Sequence, residues 1–266
     1  MRPARTLRFL KHRIRRFLAH KYPTKFGIVR VYTMPQQGRP LRILDLEGTQ
    51  QSGTYLDDDW CDVPFLYMAM YDLVFRANPP AHDVLMLGGG GFAYPKHVIA
   101  HHPKARIDVV EVDPAIVAIA RKHFFLDRLI EQYHTEETGR LRIFEDDALS
   151  YLVTCAHAGR RYDAILNDCF VTDNPVLSLA TAEAARTVRT CLAPEGLFVV
   201  NLITSLVGEN AEPLNMLVAS LSQVFNYVLA LPCYRRPADQ RDNVLVVASQ
   251  ANPKLDDAIV LFEAVS

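Results

Sequence analysis

Between residues 82 and 250, short apolar runs of strand length alternate with segments whose apolar residues recur at helical spacing. Runs at 83–87, 107–112, 141–144, 162–166 and 197–202 read as strands. The stretches at 115–124, 148–157 and 181–192 read as helices, as does the segment around Val98 and Ile99. Strands separated by crossover helices pair in parallel, so the pattern predicts a doubly wound α/β sheet. The alternation stops after a helix over 213–224, where runs at 227–231 and 244–248 are joined by a polar loop with no room for a crossover helix. Two strands connected that way must be antiparallel. The expected fold class is α/β, a doubly wound, mostly parallel sheet ending in an antiparallel hairpin.

Upstream, runs at 27–32 and 41–46 with a turn at Glu47-Gly48 read as short antiparallel strands. Residues 66–75 read as one helix, stopped by Asn78-Pro79-Pro80. The expected division is a basic N-terminal arm over 1–25, a small β-region over 26–62 and the main domain over 63–266.

Composition narrows the class. The chain has 266 residues, 50% of them hydrophobic, with a net charge of −1, enough for a large core and without an overall bias toward nucleic acid. The charge is unevenly spread: residues 1–44 hold no Asp or Glu, whereas Arg2, Arg5, Arg8, Lys11, Arg13 and others are basic. Phe9, Leu10, Ile14, Phe17 and Leu18 make that arm amphipathic. A solvated or subunit-contacting helix is the plainest reading, with contact to nucleic acid or an acidic membrane surface as the alternative. No apolar run approaches the ~20 residues that span a bilayer, and the features of a secretory signal are missing, so the expected location is the cytoplasm. Cys61, Cys155, Cys169, Cys191 and Cys233 are scattered without a CxxC pair. Reduced thiols are therefore expected, and no metal.

The candidate chemistry gathers at strand ends. Gly88, Gly89, Gly90 and Gly91 follow the first strand of the main domain at once, and Glu111 stands near the tip of the second. Glycines let the chain turn tightly and let a ligand approach the backbone. A carboxylate at that tip can accept ribose hydroxyls. Asp113 ahead of Pro114 looks like a helix cap, leaving Glu111 as the ribose candidate. Gly88 to Ala93 also fit the loose dinucleotide pattern G-x-G-x-x-G/A. The terminal hairpin argues against that hydride-transfer reading, since it belongs to class I methyltransferase-type folds. Two more acids fall at strand tips, Asp147 in FEDDAL beside Asp146, and Asp168 in LNDCF. Asp147 is placed to accept from an adenine amine and Asp168 to face the reacting end of a ligand. Each alone also reads as a helix cap.

The ordered segments GGGG, VVEVDP, EDDAL, YDAILND and LAPEGLFVVN resemble the spermidine synthase (polyamine aminopropyltransferase) family. The resemblance runs from about Gly27 to Ala248 and includes ILDLEGTQQS, which is similar to a strand and turn leading to a Gln, here Gln51. It implies a small β-domain before a methyltransferase-like domain, and decarboxylated S-adenosylmethionine as cofactor. A small-molecule amine would attack the aminopropyl carbon beside the sulfonium, and the protein would form a homodimer. By position it implies cofactor contacts from Gln51, Gly88 to Gly91, Glu111, Asp146, Asp147 and Asp168. Asp168 would also take the amine proton, and Tyr67, Asp173, Asn201 and Tyr234 would bind the acceptor. Three departures stand out. The family's acid in G-G-G-D-G is Gly91 here, the Glu of Y-x-E is Ala69, and the D-S-S-D-P loop is longer by two residues. A glycine at 91 would not repel the carboxylate of intact S-adenosylmethionine, so methyl transfer to an unknown acceptor remains the alternative. A homologue that binds the nucleoside without catalysis is a third.

Overall fold

Four antiparallel strands open the fold: β1 (His20–Thr24), β2 (Gly27–Gln36), β3 (Arg39–Leu46) and β4 (Thr49–Tyr55), hydrogen-bonded in that order. Their tight turns use left-handed residues, Gln37-Gly38 (φ 51° and 84°) and Glu47-Gly48 (φ 50° and 107°), as two-residue hairpin loops require. These features come from a computed structural model that describes residues 19–171, 174–175 and 179–264. Alternation along the strands gives the small sheet two apolar faces. One, with Val29, Val31, Leu44 and Leu46, packs on Ile116, Ile119 and Phe124 of the main domain. Tyr32, Leu41, Ile43 and Tyr55 form the other.

Two short helices, α1 (Leu66–Met70) and α2 (Leu73–Arg76), lead into the main domain. There β5 (Asp83–Leu87), β6 (Arg106–Val110), β7 (Leu141–Phe144), β8 (Tyr162–Asn167) and β11 (Leu192–Thr204) are parallel. A two-strand element, β9 (Phe170–Val171) with β10 (Asn174–Pro175), sits between β8 and β11 in the chain. The crossovers are α3 (Ala93–His101), α4 (Pro114–His123), α5 (Leu126–Tyr133), α6 (Thr135–Thr138), α7 (Ala148–His157) and α8 (Ala182–Thr190). After α9 (Glu212–Leu221), β12 (Tyr227–Pro232) and β13 (Asp242–Ser249) pair antiparallel, and β14 (Ile259–Glu263) extends the edge. The eight strands lie in the order β14-β12-β13-β11-β8-β5-β6-β7.

Strand periodicity explains the two-sided core. Val84 and Met86 of β5 point into the cluster built with Tyr71, Tyr94 and Val98, while Leu85 and Leu87 point into the one built with Leu152, Val188 and Leu217. The main sheet is thus covered on both faces, as a parallel sheet must be.

The fold is the expected α/β class with a small antiparallel sheet before it. Local differences have physical causes. β1 lies within the segment expected to be basic arm, so the strands run from 20 to 55. Residues 1–18, with their amphipathic pattern, lie outside the described residues. The single helix expected over 66–75 is two, because Tyr71 N and Asp72 N bond to Met68 O and Ala69 O, a 3₁₀-type tightening at the junction. β6 ends at Val110, which leaves Glu111 as the first residue beyond it. Among the described residues no helix is long and apolar enough to cross a membrane.

Candidate active site

Two cavities, of about 430 and 180 Å³, open where the parallel strands end, and both are lined by Gln51 and Asp168. The larger is floored by Gly88, Gly89 and Gly90, with Glu111, Asp146 and Asp147 at its acidic side. Thr24, Lys25 and Phe26, the tip of the β1–β2 hairpin, also line it. That tip is tied down by Asp113, whose Oδ2 accepts from Lys25 N at 2.6 Å while Oδ1 accepts from Ala115 N at 2.9 Å. Asp113 therefore caps α4, as read from the sequence, and anchors the small sheet as well.

Glu111 does more than the sequence suggested. Its Oε2 accepts from Gly89 N (3.0 Å) and Gly90 N (3.2 Å), and its Oε1 from Asp113 N (3.0 Å). Burial pushes its pKa up, while those three N–H groups oppose the rise. A carboxylate has about four acceptor sites, so three are spent on the turn and one remains for a sugar hydroxyl. Asp147 is both cap and cavity wall: its Oδ1 accepts from Ser150 N at 3.0 Å, and its own N–H donates to Asp146 Oδ1 at 2.8 Å.

Three glycines of the turn are dictated by contact, among them Gly89, where a Cβ would stand 2.9 Å from Phe92 Cε2. Gly88 has φ +91°, and a Cβ there would stand 2.7 Å from the carbonyl oxygen of Asp168. The segment that opens with Asp168 and the glycine turn touch at that point. Gly91, expected as a cavity residue, is packed away instead, where a Cβ would meet Ser52 Oγ at 2.8 Å and Phe124 Cδ1 at 2.9 Å. An aspartate cannot be placed there unless Ser52 and Phe124 move. Cys169 lines the cavity, and burial holds its thiol well above the usual range, so it stays protonated.

The smaller cavity brings together Tyr67 of α1, Asp168, Asn201 of β11 and Tyr234, with Phe65 and Asn243. Asp168 follows β8 directly. Asn201 Nδ2 donates to its Oδ1 at 2.8 Å, and Tyr67 OH donates to Oδ2 at a long 3.4 Å. Behind this pair, Asn243 Nδ2 donates to Asn201 Oδ1 at 2.9 Å, which orients the Asn201 amide with its NH₂ toward the carboxylate. Burial raises the Asp168 pKa from its ordinary 3.8 to about 6, against the lowering effect of Asn201. Burial and the facing Asp168 push the Tyr67 phenol well above its usual range, so it remains a donor. Asp173 lies outside the described residues.

Residues 66–251 match the spermine/spermidine synthase domain. The chain belongs to that family. Its sequence relatives are distant. It is 27% identical to a polyamine aminopropyltransferase of Vibrio vulnificus, over 53% of this chain and 44% of that protein. It is 30% identical to the human eEF1A lysine and N-terminal methyltransferase, over 47% of this chain and 18% of that one. The match thus spans less than half the length of either relative. Among solved structures, a probable spermidine synthase from Corynebacterium glutamicum superposes with a TM-score of 0.70 at 20% identity, covering 88% of this chain and 80% of that one. That likeness shows the family fold, including a region before the main sheet.

Against the family pattern, Asn243, Ser52 and Lys25 escaped the sequence reading. Each acts through a contact far along the chain, and only Asn243, a lone amide opening an apolar run, carried any local signal.

Proposed function

We propose that this spermidine synthase family member transfers an aminopropyl group from decarboxylated S-adenosylmethionine to a small amine, with Asp168 as proton acceptor. The observation that carries the reading is the shared wall: one desolvated carboxylate belongs both to the adenosyl-sized cavity and to the small one. The residues fit such a ligand, since Glu111 keeps one acceptor site and Asp146 and Asp147 stand on the same rim. The cofactor supplies an aminopropyl carbon activated by the adjoining sulfonium. This chain's part is positioning and proton handling. An amine nitrogen bonding to that carbon would displace sulfur, which would leave with the electron pair of the carbon–sulfur bond. The proton shed by nitrogen passes to Asp168, whose pKa near 6 suits a base working at neutral pH. Asn201 and Tyr67 hold that carboxylate on both oxygens. The ring of Tyr67 offers an aromatic wall to a cationic chain, with Tyr234 across the cavity.

A second reading, methyl transfer from intact S-adenosylmethionine, is favoured by the packing of Gly91, which leaves no acid there to grip a lone ammonium or repel a carboxylate. The products separate the two. Aminopropyl transfer releases methylthioadenosine and methyl transfer releases S-adenosylhomocysteine, so chromatography after incubation with each cofactor and a panel of amines decides. Release of methylthioadenosine that depends on both amine and decarboxylated cofactor supports the proposal. S-adenosylhomocysteine instead, or no product with either cofactor, overturns it.

A further inference from the structure

We propose that Asp72, His97 and His102 hold a divalent first-row transition-metal cation, on the side of α3 that adjoins the adenosyl cavity. The three come from separate places in the chain: Asp72 at the junction of α1 and α2, His97 within α3, and His102 at its C-cap. Five residues apart on a regular helix, two side chains point about 140° away from each other. His102 escapes that geometry because its backbone leaves the helix (φ −117°, ψ 75°). Its ring stacks on Phe75 with centroids 3.8 Å apart, and its Nε2 turns back toward Asp72.

The spacing suits a metal. Asp72 Oδ2 lies 3.1 Å from His97 Nε2 and 3.3 Å from His102 Nε2, and the three ligand atoms all fall within 4.8 Å of one another. Ligands at about 2.0–2.1 Å from a tetrahedral zinc are separated by about 3.4 Å. Two of the three edges of that tetrahedral face are already close to this. The buried Nδ1 of His97 has no partner, so in the metal-free protein the Asp72 carboxylate holds the hydrogen on Nε2, and a cation would take the place of that proton between the same two atoms. The side chains keep 16–26% of their surface exposed, so a water can complete the coordination. Two imidazoles and one carboxylate select zinc, cobalt, nickel or copper over magnesium or calcium.

The site connects to the cavity next to it. Tyr94 OH donates to Asp72 Oδ1 at 3.1 Å, and Tyr94 lines the adenosyl cavity. Tyr71, the neighbour of Asp72, packs edge-on against Tyr94 and Tyr67. A bound cation would clamp the α1–α2 junction onto α3 behind those tyrosines, with the other carboxylate oxygen still on Tyr94.

The test uses tag-free, chelator-treated full-length protein titrated calorimetrically with zinc chloride, and with cobalt chloride as a visible-absorbance probe. One equivalent of zinc, a tetrahedral cobalt spectrum without thiolate charge transfer and a higher melting temperature on zinc loading are expected. His102→Asn, which retains a good C-cap residue, and His97→Ala are each expected to weaken binding at least tenfold, with far-ultraviolet circular dichroism confirming that the metal-free variants remain folded. Asp72→Asn provides an independent third ligand change if either histidine variant fails to fold. Absence of zinc binding, binding unchanged in the folded variants, or a sulfur-ligated cobalt spectrum overturns the proposal.

Discussion

Replacing Asp168 by asparagine separates the stability of the carboxylate from its chemistry. The Asp168 side chain is half-buried between the two cavities, and desolvation holds its pKa at about 6 instead of 3.8. Between those values the folded chain holds a proton that the unfolded chain has lost, so stability falls as pH rises through this window and the loss is complete above about 6. The displacement corresponds to about 3 kcal/mol. Asparagine keeps an oxygen for the Asn201 amide but forgoes the charge-assisted strength of that bond, so the net gain expected for Asp168→Asn at neutral pH is about 1–3 kcal/mol. At this chain length about 2–4 °C in melting temperature accompanies each kcal/mol. Melting curves for both proteins from pH 4 to 8 should therefore converge toward pH 4, separate between about pH 4 and 6, and keep a constant gap above pH 6. Turnover should fall by about 10²–10⁴-fold, the usual worth of a positioned base. Affinity for methylthioadenosine should change little, because the proposed purine and sugar contacts are on the Glu111 and Asp147 side. A lower melting temperature for the variant at pH 7.5, or a stabilisation that persists unchanged at pH 4, would refute the picture of a desolvated carboxylate.

Further outcomes follow from the same geometry. Asn201→Leu removes the bond that holds the Asp168 pKa down, so the acidic limb of the kcat/KM profile should move to higher pH, with a drop of roughly tenfold at neutral pH. Gly88→Ala forces a side chain into a left-handed backbone and against the Asp168 carbonyl, and urea unfolding should show a loss of about 2–4 kcal/mol. Glu111→Gln retains shape but loses charge where three N–H groups converge, and both adenosyl affinity and melting temperature should fall, stability by about 1–3 kcal/mol. An affinity loss with an unchanged melting temperature would show that the glycine turn does not depend on Glu111.

What could be read from the sequence was local and strongly patterned. α7 spans the residues expected from its apolar spacing, and β5 ends where the glycines begin, because each element's own residues decide it. The polar strand β4, TQQSGTY, escaped notice because its burial comes from close packing of Ser52, Gly53 and Thr54 rather than from apolar alternation. At the break between α1 and α2, Tyr71 packs edge-on against Tyr67 and against Tyr94 of another helix. Acids at strand tips could be named in advance, since the topology of a parallel sheet sends them to one edge. Their partners could not: Asn243 reaches Asn201 from 42 residues away, and Ser52 covers Gly91 from another sheet. Whether position 91 has room for a side chain is a question of packing that residue types alone do not answer.

The amide chain from Asn243 through Asn201 to Asp168 gives the end of the sheet a bearing on the reaction. Side chains on a strand change face with every residue, so a slip of β13 by one position would present Asp242 or Val244 in place of Asn243. The relay would then lose its outermost donor, and Asn201 could flip. The loop between β12 and β13 thus acts as a spacer whose length bears on a carboxylate two strands from β13 in sheet order, and lengthening it is safe only where the pairing downstream stays in phase.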